Sequence, residues 1–420
     1  MNQMTPNNIP QGYKATALGI IPQEWEVKTL GNIAEINPSK GKITSKVVTF
    51  LAMSDISEQG GVINENILPI DSIKPGLTPF RKGDVIIAKI TPCFENGKGA
   101  LLDKITKDDG FGSTEFHVIR CQQDNKFVYY HTQSYAFRKR LESQMTGSAG
   151  QKRVPADSVA AYKIAVPPLA EQRKIAEVLG VWDEAIEKQA RLIEKLALRK
   201  RALMQRLLSA KLRLPGFSEP WKKVKLGDIG DTYNGLSGKN KDDFEYGNAQ
   251  FIPYTNVFSN ERIDTNNLGC VQIKPNEQQN TVKYGDIFFT VSSETPDEVG
   301  MASVLLEHLD NTYLNSFCFG YRLNNFSTLN PFFAAYLFRT EHFRNYMSVL
   351  AQGSTRFNIS KKEVMKLKID LPTIEEQTAI AEVLTAADRE IELAKEKLER
   401  LRRQKRGLMQ QLLTGKKRVI

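Results

Sequence analysis

The 420-residue chain is 41% hydrophobic and 25% charged, proportions that exclude disordered and fibrous classes, and its length calls for more than one core. Lys and Arg number 58 against 48 Asp and Glu, a formal charge of +10, which favours a polyanionic partner. No stretch approaches a membrane span, and Cys93, Cys121, Cys270 and Cys318 show no paired spacing, so neither a membrane role, a disulfide framework nor a metal site is expected.

The segment Met1–Tyr13 carries no Lys or Arg and no apolar run, unlike a secretory or transit peptide, so a reducing cytoplasm is the expected location. Trp25-Glu-Val-Lys-Thr-Leu-Gly-Asn-Ile33 and then Lys82-Gly83-Asp84-Val85-Ile86-Ile87 each read as a turn beside a β-strand. Beyond that strand lie Lys89, Thr91 and Lys98. Tyr130, Phe137 and Arg138 fall in a segment with the apolar spacing of an amphipathic helix. Gly147-Ser148 then opens a basic loop ending in Gln151, Lys152 and Arg153. From Pro168, suited to a first helical turn, a heptad pattern runs through Ile175, Leu179, Trp182, Ile186, Ile193, Leu196, Lys200, Leu203 and Leu207. Taken to Lys211, this helix would be roughly 60 Å long. Pro215-Gly216 is its expected stop.

The second half repeats the first in order. Trp221 to Ile229 echoes Trp25 to Ile33, and Tyr284-Gly285-Asp286-Ile287-Phe288-Phe289 echoes the first Gly-Asp strand, with Ser292 and Ser293 beyond it. Tyr336, Phe343 and Arg344 repeat Tyr130, Phe137 and Arg138 at a constant offset of 206. Gly353-Ser354 leads into Thr355, Arg356, Phe357 and Asn358. Ile175-Ala-Glu-Val-Leu179 recurs verbatim as Ile380-Ala-Glu-Val-Leu384. The second heptad run continues through Ala387, Ile391, Ala394, Leu398, Leu401, Lys405, Leu408 and Leu412, with Thr373 and Glu376 at capping-box spacing and Gly415 as its stop. Five matched blocks in one order are an internal repeat. Lys200 and Lys405 interrupt the two seams at the same heptad position, either as register devices or as lysines whose stems pack while the ammonium reaches solvent.

No catalytic grouping stands out. Asn330-Pro331-Phe332-Phe333 is superficially like the Asn-Pro-Pro-aromatic loop of amino-methyltransferases, but it lacks the second proline and sits where a helix should begin. Gly41-Lys42, Gly97-Lys98, Gly238-Lys239 and Gly415-Lys416 lack the Ser or Thr of a phosphate loop. The DNA-binding candidates are Lys89, Thr91, Lys98, Gln151, Lys152 and Arg153 in the first half, and Ser292, Ser293, Thr355, Arg356 and Asn358 in the second. Gln and Asn can grip adenine and Arg can grip guanine, although basic turns are also common as plain solvated loops.

Along nearly its whole length the chain resembles the specificity subunit of type I restriction-modification systems. The resemblance rests on Tyr13-Lys-Ala-Thr-Ala-Leu-Gly-Ile-Ile-Pro-Gln-Glu-Trp25, the Trp and Leu-Gly positions opening each half, the Gly-Asp strands, Ser113-Thr-Glu-Phe116, and the helix openings Pro-Pro-Leu-Ala-Glu-Gln172 and Leu-Pro-Thr-Ile-Glu-Glu-Gln377. It implies an α/β (α+β) architecture: an N-terminal segment 1–24, recognition domains at 25–166 and 215–371, and conserved helices at 167–214 and 372–420 that pair antiparallel as a spacer, with pseudo-two-fold repetition. By the same analogy, the segment before Trp25 would pack near the end of the second helix. The implied function is non-catalytic reading of a bipartite, asymmetric target in double-stranded DNA. Two modification subunits would supply S-adenosylmethionine and adenine methylation, and restriction (motor-nuclease) subunits would supply ATP and Mg chemistry, so that this chain itself binds no cofactor. The rival readings are a stand-alone DNA adenine methyltransferase and a coiled-coil scaffold without a DNA role.

Overall fold

Val85, Ile86, Ile87 and Ala88 are all buried, as expected of a strand covered on both faces. The computed structural model describes residues 9–41, 43–148 and 150–419; Lys42 and the first eight residues of the N-terminal segment lie outside them. The strand Val85–Ala88 is central in an antiparallel sheet ordered Ala34–Ile36, Phe116–Cys121, Val85–Ala88, Gly99–Leu101. Alternation divides its side chains. Val85 and Ile87 join a core with Trp25, Phe127, Tyr130 and Phe137. Ile86 points to the other side, into a smaller core with Leu51, Phe80 and Phe116, below a second sheet ordered Asn66–Pro69, Val47–Leu51, Asp109–Gly112, Thr78–Arg81.

The same plan recurs in the second half. Gly230–Asn234, Cys318–Leu323, Ile287–Thr290 and Ala302–Val304 form the antiparallel sheet. Ile287 and Phe289 face a core with Phe333, Tyr336 and Phe343, while Phe288 faces Ile252, Val257 and Leu314. The Gly-Asp turns have one explanation in both copies. Asp84 accepts the Arg81 N–H at 2.7 Å and both Arg120 donors at 2.8 and 2.7 Å. Asp286 does the same with Lys283 N–H and Arg322. Each carboxylate closes its own turn and ties two neighbouring strands.

The third repeated block is two helices in each half: Asn125–Gln133 with Tyr135–Glu142, and Pro331–Leu337 with Glu341–Val349. Ser134 and Thr340 divide them, since each hydroxyl caps the following helix by accepting from Phe137 N and Phe343 N, both at 3.3 Å.

The long helices run Leu169–Leu207 and Ile374–Leu413. The first therefore ends before Pro215-Gly216. Ala210 takes a left-handed φ of +57°, where Gly415 has +69° after the second helix. A glycine is obligatory only at the latter, because a Cβ on Gly415 would meet Pro22 Cδ at 2.4 Å. Pro168 lies just outside the first helix and caps it through its carbonyl, which accepts from Glu171 N and Gln172 N. The expected capping box is half formed. Thr373 Oγ1 accepts from Glu376 N at 3.4 Å, but the Glu376 carboxylate pairs with Arg213 instead.

By contacts the chain divides into two units, Met1–Ala190 with Glu396–Ile420, and Arg191–Lys395. The division cuts both long helices because their halves pack on different domains. In unit 1, Ile175 and Leu179, near the start of one helix, share a core with Met409 and Leu412, near the end of the other, so the segments run antiparallel. In unit 2, Ile380 and Leu384 likewise meet Leu207. These seam positions are domain core as well as helix-pairing surface. Leu196 and Leu398 are buried, and Trp182, Ile186, Leu203, Ile391, Leu401 and Leu408 are half-buried.

The seam lysines, each 15% exposed, are held by carboxylates. Lys405 pairs with Asp183, which also accepts the Tyr130 hydroxyl at 2.7 Å. Lys200 pairs with Asp388 at 2.7 Å and Glu261 at 2.9 Å, and Asp388 accepts Tyr336 at 2.6 Å. Burial lowers the Lys200 pKa, but the two carboxylates outweigh it and the net direction is up. The N-terminal segment meets the end of the second helix as the resemblance implies. Arg418 binds Glu171 and Glu24, and Trp25 Nε1 donates to Glu171 at 3.0 Å.

Candidate nucleic-acid interface

In unit 1, Thr146 and Arg153 exchange backbone hydrogen bonds of 3.0 and 2.8 Å, closing the basic loop. Gly147 makes its turn at φ +127°, and a Cβ there would come within 2.7 Å of the Gln151 carbonyl. The loop then lies along the strand end: Val154 N donates to Lys89 O at 2.8 Å, and Thr91 donates to Lys152 O through N at 3.0 Å and Oγ1 at 2.9 Å. Two loops that are distant in sequence form one edge.

Unit 2 builds the same edge with other side chains. Gln352 and Asn358 exchange bonds of 2.9 and 2.8 Å, Ile359 N donates to Val291 O at 3.0 Å, and Ser292–Ser293 pairs with Phe357–Asn358. Gly353 turns at φ +137°. Two arginines, Arg138 buried and Arg344 half-buried, pin the neighbouring loops. Arg138 donates to the carbonyls of Thr132, Phe94 and Gly97, and Arg344 to those of Gly300, Asp297 and Val299. Their repetition in the sequence was visible, but only the fold shows that they brace the candidate edge.

The edge sorts the candidates. Gln151, Lys152, Thr355, Arg356 and Asn358 are exposed and Lys89 is half-buried. The Arg356 guanidinium has no hydrogen bond or ion pair among the described residues. Three other candidates are engaged internally: Lys98 Nζ donates to Met53 O at 3.0 Å, Ser293 Oγ to Glu298 at 3.0 Å, and the Thr91 hydroxyl to Lys152 O. Ser292 Oγ is buried without a partner among the described residues. It lines a cleft of about 340 Å³ with Tyr254, Phe258, Phe317 and Arg356. A larger cavity of about 580 Å³ lies away from this edge, beside Tyr130 and Asp183 in unit 1.

The motif Ser113-Thr-Glu-Phe116 stood out in the sequence, but the pairing of Glu115 with the basic loop did not. Glu115 accepts from Arg153 Nε at 3.0 Å and Nη2 at 2.9 Å, and the Arg153 bond holds its carboxyl below the usual range. Beside it, burial holds His117 below its ordinary value, and its Nε2–H donates to Val154 O at 2.8 Å. Asn330, the residue of the methyltransferase-like tetrapeptide, is a helix cap: its Oδ1 accepts from Phe332 N at 2.8 Å and Phe333 N at 3.3 Å, and its Nδ2 donates to Thr378.

Two copies of the "Type I restriction modification DNA specificity domain" family match residues 22–197 and 218–403. The chain belongs to this family. Among curated relatives, the Escherichia coli EcoAI specificity subunit is 42% identical over 160 residues, 37% of this chain and 27% of that protein. The MjaVIII specificity subunit of Methanocaldococcus jannaschii is 27% identical over 416 residues, 95% and 94% of the two chains. The chain thus spans about a quarter of the E. coli relative and nearly all of the archaeal one. Two solved structures share the fold. A chain described with complex assembly and conformational transition of the type I R-M system aligns at TM-score 0.64 and 21% identity over 94% of this chain and 99% of its own. The HsdS subunit from Thermoanaerobacter tengcongensis aligns at 0.51 and 21% over 94% and 98%. No helix among the described residues is long and apolar enough to cross a membrane.

Proposed function

We propose that this chain is the DNA-reading subunit of a cytoplasmic type I restriction-modification complex. Each unit reads one half of a bipartite, asymmetric double-stranded target. The chain docks two modification subunits, which carry S-adenosylmethionine and adenine methylation, and accepts restriction subunits that use ATP and Mg. It performs no chemistry itself. The observation that carries this reading is the edge built twice on the same backbone hydrogen bonds and dressed with different polar side chains. A single chain with an internal repeat can thereby present two nonidentical readers to one duplex.

The test uses the full chain co-expressed with its modification subunit. Arg356→Ala with Asn358→Ala should cost about 1–3 kcal/mol of discrimination per lost base contact in one half-site and leave the other half-site intact. Uniform loss on random DNA would make both residues phosphate contacts, and no loss would remove this edge from the interface. S-adenosylmethionine binding or methylation by the isolated chain would replace the reading with that of an enzyme.

A further inference from the structure

The two edges share one hydrogen-bond pattern where the loop meets the strand end. Lys89 N donates to Glu115 O at 2.9 Å, and Val291 N donates to Phe317 O at 2.9 Å. Lys89 O accepts from Val154 N, as Val291 O accepts from Ile359 N. The strand register agrees, Phe116 facing Ala88 where Cys318 faces Thr290. Glu115 and Phe317 therefore hold one structural position. Arg153 and Asn358 hold another, each closing its hairpin opposite Thr146 or Gln352.

What occupies these positions differs in chemical kind. In unit 1 the carboxylate of Glu115 fixes the guanidinium of Arg153, whose Nη1 also reaches Gln151 O at 3.3 Å. Three of its five N–H groups are engaged and two remain, on a plane whose orientation is set and whose side chain is 43% exposed. In unit 2 there is no carboxylate at the equivalent place. Phe317 is 60% exposed there, and Asn358 is exposed, its side chain making among the described residues only a long bond of 3.4 Å to Arg356 O.

We infer that these pairs are the specificity-determining positions that make the two half-sites different: Glu115–Arg153 selects a G·C pair, and Phe317–Asn358 selects an A·T pair. A planar guanidinium offers two parallel donors, matching the O6 and N7 acceptors of guanine in the major groove. A carboxamide offers one donor and one acceptor, matching N7 and N6–H of adenine, and an exposed ring beside it contacts the 5-methyl of the paired thymine. Glu115 acts as a positioning residue, presetting the guanidinium so that less rotamer freedom is lost on binding. A docking site for a protein on Phe317 is the competing occupant.

The inference rests on the proposed function, and its test separates the two. Methylated sites are sequenced in cells expressing the full chain with its modification subunit. The exchange Phe317→Glu with Asn358→Arg should change one position of the unit 2 half-site from A·T to G·C. The reciprocal Glu115→Phe with Arg153→Asn should change one position of the other half-site from G·C to A·T. The preference should change by about 5-fold to about 150-fold, since each bidentate pair discriminates by about 1–3 kcal/mol. The milder Phe317→Leu and Glu115→Gln serve where an exchange fails to assemble. The first should relax the thymine preference, and the second should loosen selection of guanine without altering which base is preferred. Wild-type methylation without any bipartite preference would sink the function. Bipartite methylation with wild-type bases retained at full strictness in assembled variants would sink the inference alone, and loss of subunit assembly confined to Phe317 variants would assign the ring to a protein partner.

Discussion

At the scale of single residues, the repeat exposes what each copy could have done differently. His131 follows Tyr130 in unit 1, and Leu337 follows Tyr336 in unit 2, both buried in their cores. His131 packs edge-on against Phe127 at 4.7 Å, and its Nε2 has no partner among the described residues. Burial pushes its pKa down to about 3. A histidine whose folded pKa lies below its unfolded value of about 6.5 stays neutral in the native state, while the unfolded chain takes up the proton. Its contribution is thus fully present above about pH 6.5 and is lost as pH falls from there towards about 3. His117, also pushed down by burial, acts with the same sign. We expect His131→Leu, the side chain that unit 2 uses, to fold and to lose less stability than wild type between about pH 7 and about pH 4.5, measured by denaturation midpoints. Equal acid sensitivity of the two proteins would show that His131 is not a source of it.

At the scale of elements, the lysines in the heptad seams join helix pairing to domain packing. Lys405 and Tyr130 both converge on Asp183, and Lys200 and Tyr336 both converge on Asp388. Each clamp therefore fastens one long helix to the other and to a domain helix at once. Replacing Lys405 by Met keeps the stem but leaves Asp183 with Tyr130 alone, a loss of about 1 kcal/mol for a charged hydrogen bond to a carboxylate that stays partly in water. Asp183→Asn in the same background should cost much less than it does alone, giving a coupling of about 0.5–1 kcal/mol in a double-mutant cycle. Additive losses would mean that the pair does not act as a unit. The repeat, the heptads and the Gly-Asp strands were legible in the sequence because they depend on spacing, which a chain carries openly. The Lys–Asp–Tyr clamps were not, since Asp183 and Asp388 look like ordinary polar helix positions until the antiparallel pairing brings a lysine to each. The candidate edge was half legible for the same reason: the basic loops stand out by composition, whereas Glu115 and Phe317, each just before a strand, stand out only when that strand lies beside the loop.

At the scale of the whole chain, both long helices run unbroken through the boundary between the contact units. Each carries one residue of each clamp, Asp183 and Lys200 on the first, Asp388 and Lys405 on the second. The separation along the chain is the same in both helices, 17 residues (200 − 183 and 405 − 388). That equality constrains any test of the helices as a ruler for half-site spacing. Four residues inserted near Lys188 alone lengthen one helix by about 6 Å and leave the other unchanged, so one clamp must slip or the longer helix must bulge. Insertions of four residues in both helices, near Lys188 and near Lys395, keep the clamp separations equal. The matched pair should lengthen the unread spacer of the methylated site by about two base pairs, at about 3.4 Å of rise each, with both half-sites unchanged. The single insertion should lower methylation and thermal stability together, because it spends a clamp. Sequencing methylated adenines for the wild type and both variants decides the matter: an unchanged spacer in an active matched variant would remove the ruler, and a lengthened spacer from the single insertion would show that one helix alone sets the distance.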